Sequence, residues 1–107
     1  MNFIKVADLQ RLNDGERVVY EQDEHEILVL ASGGCVYAIG NVCTRDEVWL
    51  DAGILHPQSC EIECPMHDGR FDLRTGAATR APAERPLPSY PVKIEGDDVL
   101  VALPTRE

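Results

Sequence analysis

The chain has 107 residues, the length of a single domain, and carries 19 acidic against 10 basic side chains for a net charge of −9. This charge argues against nucleic-acid binding through a basic patch. The negative charge could instead attract a basic protein partner, or it could serve solubility alone. No segment has the roughly 20 consecutive apolar residues of a membrane helix. Residues 1–5 lack the basic start and apolar run of a signal peptide. We therefore expect a soluble, cytoplasmic monomer.

Short apolar runs separated by turn residues predict an all-β domain. The predicted strands cover residues 2–7, 17–22, 26–31, 35–39, 90–95 and 99–103. A helical turn over residues 8–12 is predicted after the first strand, with Asp8 as its cap. Val92 and Ile94 alternate with polar residues, as in a half-buried strand, and Gly96-Asp97-Asp98 connects the final hairpin.

The middle of the chain has shorter apolar runs and longer loops than either end. A compact domain seldom keeps long loops without a use for them. We therefore predict one domain over residues 1–107, with a small inserted subdomain at roughly residues 41–76. Prolines at positions 82, 86, 88 and 91 are expected to stiffen the segment that follows.

Two segments of this middle region carry residues suited to metal binding. They are Cys43-Thr44-Arg45 and Cys64-Pro65-Met66-His67. With a histidine at position 45 they would read Cys-x-His and Cys-x-x-His, which is the ligand pattern of a Rieske [2Fe-2S] centre. Arg45 stands in that place. The sequence thus contains three of the four expected donors.

On these motifs the chain resembles the Rieske family, and most closely the small ferredoxins of bacterial aromatic-ring dioxygenases. The likeness extends over nearly the whole chain and includes Val36–Ile39, Phe71–Gly76 and Pro91–Val101. It implies a Rieske fold, in which antiparallel sheets form a β-sandwich and a cluster-binding subdomain is inserted between strands. The family's role is to pass one electron from a flavin reductase to a terminal oxygenase. The protein is thus expected to be an electron carrier and not an enzyme alone.

The resemblance also implies the roles of individual residues. Cys43 and Cys64 would ligate the inner iron of a [2Fe-2S] cluster, and His67 would ligate the outer iron. Residues 86–88 would shield the cluster on one side. Fewer hydrogen-bond donors would lie near the sulfurs than in the respiratory relatives, because Gly69 stands where those relatives have serine. This favours the lower part of the Rieske potential range, about −150 to +300 mV.

Arg45 leaves three outcomes open, since its guanidinium is charged and has no lone pair to offer. The outer iron could recruit another donor from Asp46, His56, Cys60 or water. Arg45 could deprotonate against the iron. No cluster could form, in which case the domain would act as a binding or regulatory module.

Other residues have simpler expected roles. Cys35 is predicted to be a small buried residue of its strand. Trp49 and Leu50 are predicted to pack the subdomain, with partner docking as the alternative for Trp49. A structural zinc site is a weaker alternative that would draw on Cys35, Cys43, Cys60, Cys64 and His67.

Overall fold

The computed structural model describes residues 2–22, 25–43, 48–66 and 68–103. Within these ranges the chain forms antiparallel β-strands and two short 3-10 helices, Leu9–Arg11 and Leu50–Ala52. The strands in chain order are β1 (Asn2–Asp8), β2 (Arg17–Gln22), β3 (His25–Ser32), β4 (Cys35–Gly40), β5 (Ile54–His56), β6 (Glu61–Glu63), β7 (Arg70–Asp72), β8 (Ala78–Arg80), β9 (Val92–Glu95) and β10 (Asp98–Leu103). The predicted all-β fold is confirmed. Neither helix of the described ranges has the length and apolar character needed to cross a bilayer.

The sheet β2–β3–β4 lies at the centre of the sandwich, and its middle strand β3 is buried on both faces by two separate cores. In the run 27–30 of β3, even-numbered residues pack into one core and odd-numbered residues into the other. On β4, Ile39 joins the first core and Ala38 the second. A strand buried on both faces needs a continuous apolar sequence, which explains why this run does not alternate with polar residues.

A different sheet covers each of the two cores. The site-side core comprises Leu28, Leu30, Ile39, Cys43, Leu50, Ile62, Cys64, Phe71, Leu73, Ala83 and Leu87. The hairpin-side core comprises Leu12, Ile27, Val29, Ala31, Ala38, Val99, Val101 and Leu103. The central sheet therefore separates the two candidate ligand cysteines from the terminal strands.

The sheet β1–β10–β9 covers the hairpin-side core. The predicted final hairpin is present as β9 and β10, paired from Asp98–Glu95 to Val101–Val92. Gly96 has φ +60° in the connecting turn, a left-handed conformation that glycine adopts without strain. The predicted first strand is also present as β1, which pairs with β10.

The helical turn after β1 forms over Leu9–Arg11, but the predicted cap is wrong. Asp8 occupies the capping position without a side-chain hydrogen bond to the turn. Its carboxylate instead lies 2.8 Å from Lys5 Nζ. The Lys5 ammonium thus binds the Asp8 carboxylate that the sequence pattern predicted to cap the helix.

The four-stranded sheet β5–β6–β7–β8 covers the site-side core. Each of its strands has only three residues. Ile62 of β6 and Phe71 of β7 contribute side chains that are fully buried in this core. The sheet extends from residue 54 to residue 80, and the predicted subdomain limits of about 41–76 within one domain of 1–107 stay a prediction.

Candidate metal centre

Cys43 lies at the base of the loop that follows β4. Its side chain is buried in the site-side core. The backbone N–H of Cys43 donates to the carbonyl of Val48 at 2.8 Å, and Val42 pairs with Trp49 in a β-bridge. These contacts close the two sides of the loop. Residues 44–47, which include Arg45 and the alternative donor Asp46, lie outside the described residues.

Cys64 occupies the equivalent place on the second loop, between β6 and β7. Its side chain is also buried in the site-side core. The backbone N–H of Cys64 donates to the carbonyl of Gly69 at 2.9 Å and so closes the loop. Met66 on this loop is 69% exposed, whereas His67 lies outside the described residues.

The structure therefore brings two of the predicted ligands into one apolar core. Both cysteines share it with Leu50 and Leu87, and each reaches it from a different loop. Within the described ranges no group of three or more His, Cys, Asp or Glu side chains could hold a metal ion. Two buried sulfurs from separate loops fit the cysteine half of a Rieske ligand set, which has two Cys on one iron and two His on the other.

Asn41 fixes the start of the first loop and was missed by the sequence analysis. Its amide, which is buried, donates to carboxylates of Glu26 and Asp51 at 3.0 Å each. Its side-chain oxygen accepts the N–H of Asp51 at 2.9 Å, and its backbone carbonyl accepts the N–H of Leu50 at 2.7 Å. A polar residue at the end of an apolar strand, two positions before Cys43, was the available signal.

Arg17 of β2 contacts the 3-10 helix that follows the first ligand loop. Its guanidinium Nη1 donates to the backbone carbonyls of Asp51 and Gly53, at 3.0 Å each. Arginine suits this task because several donors are held in one plane. The 3-10 helix between the two ligand loops is thus tied to β2.

A polar network lies along the four-stranded sheet beside the second loop. His56 Nε2 and Glu63 Oε1 are 2.8 Å apart, and Arg70 Nε donates to the same oxygen at 3.3 Å. The hydrogen bond with His56, followed by the charges of His56 and Arg70, holds the pKa of Glu63 below its ordinary value. The pKa of Glu61 is also lowered, first by hydrogen bonds from Thr79 and Ser59 and then by Arg70. His56, one of the alternative iron donors, is therefore occupied within this network.

Two sequence expectations about packing are wrong. Trp49 is 63% exposed, although its neighbour Leu50 is buried as predicted. The bridge with Val42 gives Trp49 an extended backbone, so that successive side chains point in opposite directions. Cys35 is exposed rather than buried, because it is the first residue of β4 and follows the Gly33–Gly34 turn. None of the four cysteines, all of which are described, forms a disulfide.

The segment 86–88 packs closely against the glycines of two neighbouring segments. The backbone N–H of Leu87 donates to the carbonyl of Gly76 at 2.7 Å, and a Cβ at Gly76 would lie 2.1 Å from the Leu87 carbonyl oxygen. A Cβ at Gly40 would lie 2.8 Å from the ring of Pro88. These approaches place Leu87 in the core that holds both cysteines.

Comparison with known proteins identifies the family. A family model described as a Rieske-like [2Fe-2S] domain matches residues 2–102. The ferredoxin component of the naphthalene 1,2-dioxygenase system of Pseudomonas aeruginosa is 36% identical over 101 residues, which are 94% of this chain and 95% of that protein.

Solved structures agree with the sequence match. The ferredoxin of carbazole 1,9a-dioxygenase from Nocardioides aromaticivorans IC177 has a TM-score of 0.89 and 43% identity, and the match covers 95% of this chain and 98% of that one. A chain in a complex of reduced oxygenase and oxidized ferredoxin of carbazole 1,9a-dioxygenase has a TM-score of 0.86 and 28% identity, with 94% and 92% covered. The chain therefore belongs to the family of Rieske-type [2Fe-2S] ferredoxins.

Proposed function

We propose that this ferredoxin is the electron carrier of an aromatic-ring oxygenase system, in which it accepts one electron from a reductase and delivers it to a terminal oxygenase. A bound [2Fe-2S] cluster supplies the one-electron couple for this task. The observation that carries the proposal is the burial of Cys43 and Cys64 in one core, on a chain that matches ferredoxin components over nearly its full length. The protein is a carrier and not itself a catalyst.

Cys43 and Cys64 would hold the inner iron, and His67 would hold the outer iron. The apolar side chains around the two cysteines, Leu50 and Leu87 among them, keep water from the sulfurs. The backbone hydrogen bonds from Cys43 to Val48 and from Cys64 to Gly69 support this assignment, since they hold each cysteine at the base of its loop.

We propose that the outer iron takes its second ligand from a donor other than Arg45. Of the donors that the sequence offers, His56 is hydrogen-bonded to Glu63 and Cys60 packs against the site-side core. Asp46 and water remain. A carboxylate donor such as Asp46 would lower the reduction potential relative to a second imidazole, because its negative charge stabilises the oxidised iron more strongly.

The same end of the molecule has the features of a docking surface for redox partners. Val42, Trp49 and Met66 are exposed apolar side chains on the two ligand loops. Exposed aromatic and Met side chains are enriched in protein interfaces. A net charge of −9 would speed encounter with a basic partner. We also propose that the protein acts as a monomer in the cytoplasm, a reducing compartment in which its cysteines would not form disulfides.

Analysis of iron and acid-labile sulfide, together with the visible spectrum, tests the proposal. We expect about two irons and two sulfides per chain and a coloured protein that a terminal oxygenase reoxidises after reduction. Colourless protein with intact β structure and no iron would contradict electron transfer and favour the binding module.

Replacing Arg45 by histidine tests the assignment of position 45. The R45H variant would have the full set of two Cys and two His, so we expect a conventional Rieske absorption and EPR spectrum. We also expect a higher reduction potential than that of the unaltered protein. If R45H purifies colourless with iron supplied, the assignment of position 45 is wrong.

A further inference from the structure

Two carboxylates are held beside the first ligand loop by a single amide. Asn41 Nδ2 donates to Glu26 Oε2 and to Asp51 Oδ1, at 3.0 Å each. The carboxylates come from β3 and from the 3-10 helix Leu50–Ala52, and both residues are half-buried. An amide is a neutral donor, so these hydrogen bonds neutralise neither carboxylate.

The Asn41 amide lies on the side of the chain that carries Cys43. Asn41 and Cys43 are 1% and 0% exposed, whereas Val42 between them is 38% exposed. The β-bridge with Trp49 gives Val42 an extended backbone. Side chains two residues apart share a face of an extended chain, and their Cα atoms are about 7 Å apart. Both carboxylates therefore lie close to the buried cysteine of the first loop.

Further hydrogen bonds keep the two acidic residues in this place. The backbone N–H of Asp51 donates to Asn41 Oδ1 at 2.9 Å, and the backbone carbonyl of Glu26 accepts the N–H of Asn41 at 2.9 Å. Leu50, which precedes Asp51, is buried in the site-side core with both ligand cysteines. Neither carboxylate can leave the first loop without breaking these contacts.

The positive charge of Arg17 offsets only part of this negative charge. Its guanidinium donates to the backbone carbonyls of Asp51 and Gly53, at 3.0 Å each. Two carboxylates thus face one guanidinium, so this group of described residues is negative overall. Charges that are partly buried are screened by salt less than fully exposed charges are.

We propose that Glu26 and Asp51, held by Asn41, lower the reduction potential of the [2Fe-2S] cluster through their negative charge. The inference rests on the proposed function, because it needs a bound cluster that takes up one electron. Adding that electron makes the cluster more negative, and negative charge nearby disfavours the change. A lower potential favours delivery of the electron to the oxygenase. The two residues act through charge and not as iron ligands.

Exchanging each carboxylate for an amide separates this electrostatic role from a purely structural one. E26Q and D51N each remove one negative charge. Both variants keep a side-chain oxygen that can accept the N–H of Asn41, since an amide carbonyl is also an acceptor. The hydrogen bonds to Asn41 can therefore persist while the charge is lost.

Redox titration of the purified holoprotein, followed by its visible spectrum, tests the proposal. We expect E26Q and D51N each to shift the midpoint potential to a more positive value, and the double variant to shift it further. Iron content and the urea midpoint of unfolding should stay close to those of the unaltered protein.

Glu16 provides the matched control. Its carboxylate also accepts from an asparagine amide, that of Asn13 at 2.6 Å, but this bond is exposed. The backbone carbonyl of Glu16 accepts the N–H of Ala31, which lies about 17 Å along β3 from Glu26. This distance is about twice the Debye length at physiological salt, so E16Q should leave the potential unchanged.

The inference is overturned by a potential that stays unchanged in E26Q and D51N, or that shifts no more than in E16Q. Loss of iron from both variants would also overturn it, because the pair would then serve to hold the loop. Iron analysis before the titration separates this inference from the proposed function. Iron-containing protein without a shift contradicts the inference alone, whereas unaltered protein that binds no iron contradicts both.

Discussion

The two faces of the central sheet are covered in different ways. On the hairpin side, β1, β9 and β10 have seven, four and six residues and pair in continuous register apart from one bulge. On the site side, the strands have three residues each and are separated by loops. Regular strands with alternating side chains close the first face, whereas loops, glycines and polar networks close the second.

The difference shows how a small β-sandwich makes room for an inorganic group. The hairpin side is held by apolar packing that is distributed over the buried side chains of its core. The site side depends on a few close approaches, such as that of Gly76 to Leu87 and the amide network of Asn41. Substitutions at such approaches should therefore cost more than matched substitutions elsewhere.

The largest expected effect is the loss of iron from a ligand variant. Replacing Cys43 by serine removes a soft thiolate from the buried core, and we expect iron per chain to fall close to zero. Cys35 is exposed on β4, the strand that leads to Cys43, and provides the matched control, since C35S should keep the iron content of the unaltered protein. Iron analysis and the visible spectrum measure both. Iron retention by C43S would remove Cys43 from the ligand set.

The next effect compares two glycines with positive φ, one on each side of the sheet. A Cβ at Gly76 would collide with the backbone of Leu87, so G76A should lower the free energy of unfolding by about 3 kcal/mol or more. Gly96 has open space around its Cβ position, so G96A should cost only the left-handed strain of about 1 kcal/mol. Urea unfolding measures both values. Equal costs would show that the approach of residues 86–88 is not a tight one.

A smaller effect is expected at Asn41. The variant N41A leaves the carboxylates of Glu26 and Asp51 without their shared donor, and we expect it to lower the free energy of unfolding by about 2 kcal/mol. Asn13 makes an exposed side-chain bond to Glu16, so N13A should change it by about 0.5 kcal/mol or less. A similar result for the two asparagines would mean that the network does not anchor the first loop.

The smallest effect concerns the pH dependence of stability. Because the pKa of Glu61 is lowered in the folded state, its contribution is present above its ordinary pKa of 4.5 and is lost as the pH falls through the lowered value. The variant E61Q cannot titrate there, so its urea midpoint should fall less between about pH 7 and about pH 3 than that of the unaltered protein. Glu63 and Asp72 also have lowered pKa values, so some dependence should persist. An unchanged slope in E61Q would contradict this contribution.

The sequence allowed the long strands and the metal-binding segments to be predicted, because both depend on local patterns. The run 27–30 and the final hairpin carry strand signals within a few residues, and Cys64 and His67 are close neighbours in the chain. Cys35 and Trp49 were predicted to be packed, but both are exposed. Whether a strand-end residue is covered depends on a segment distant in sequence, which no local pattern reports.

The sequence by itself determined the β class, the family and the spacing of three donors, since each is written in residue type and order. Only the tertiary structure decided that Cys43 and Cys64 share one core and that Asn41 anchors the first loop. The physical reason is that these contacts join segments widely separated along the chain. Their partners are set by how the sheets stack, and stacking is a property of the whole fold.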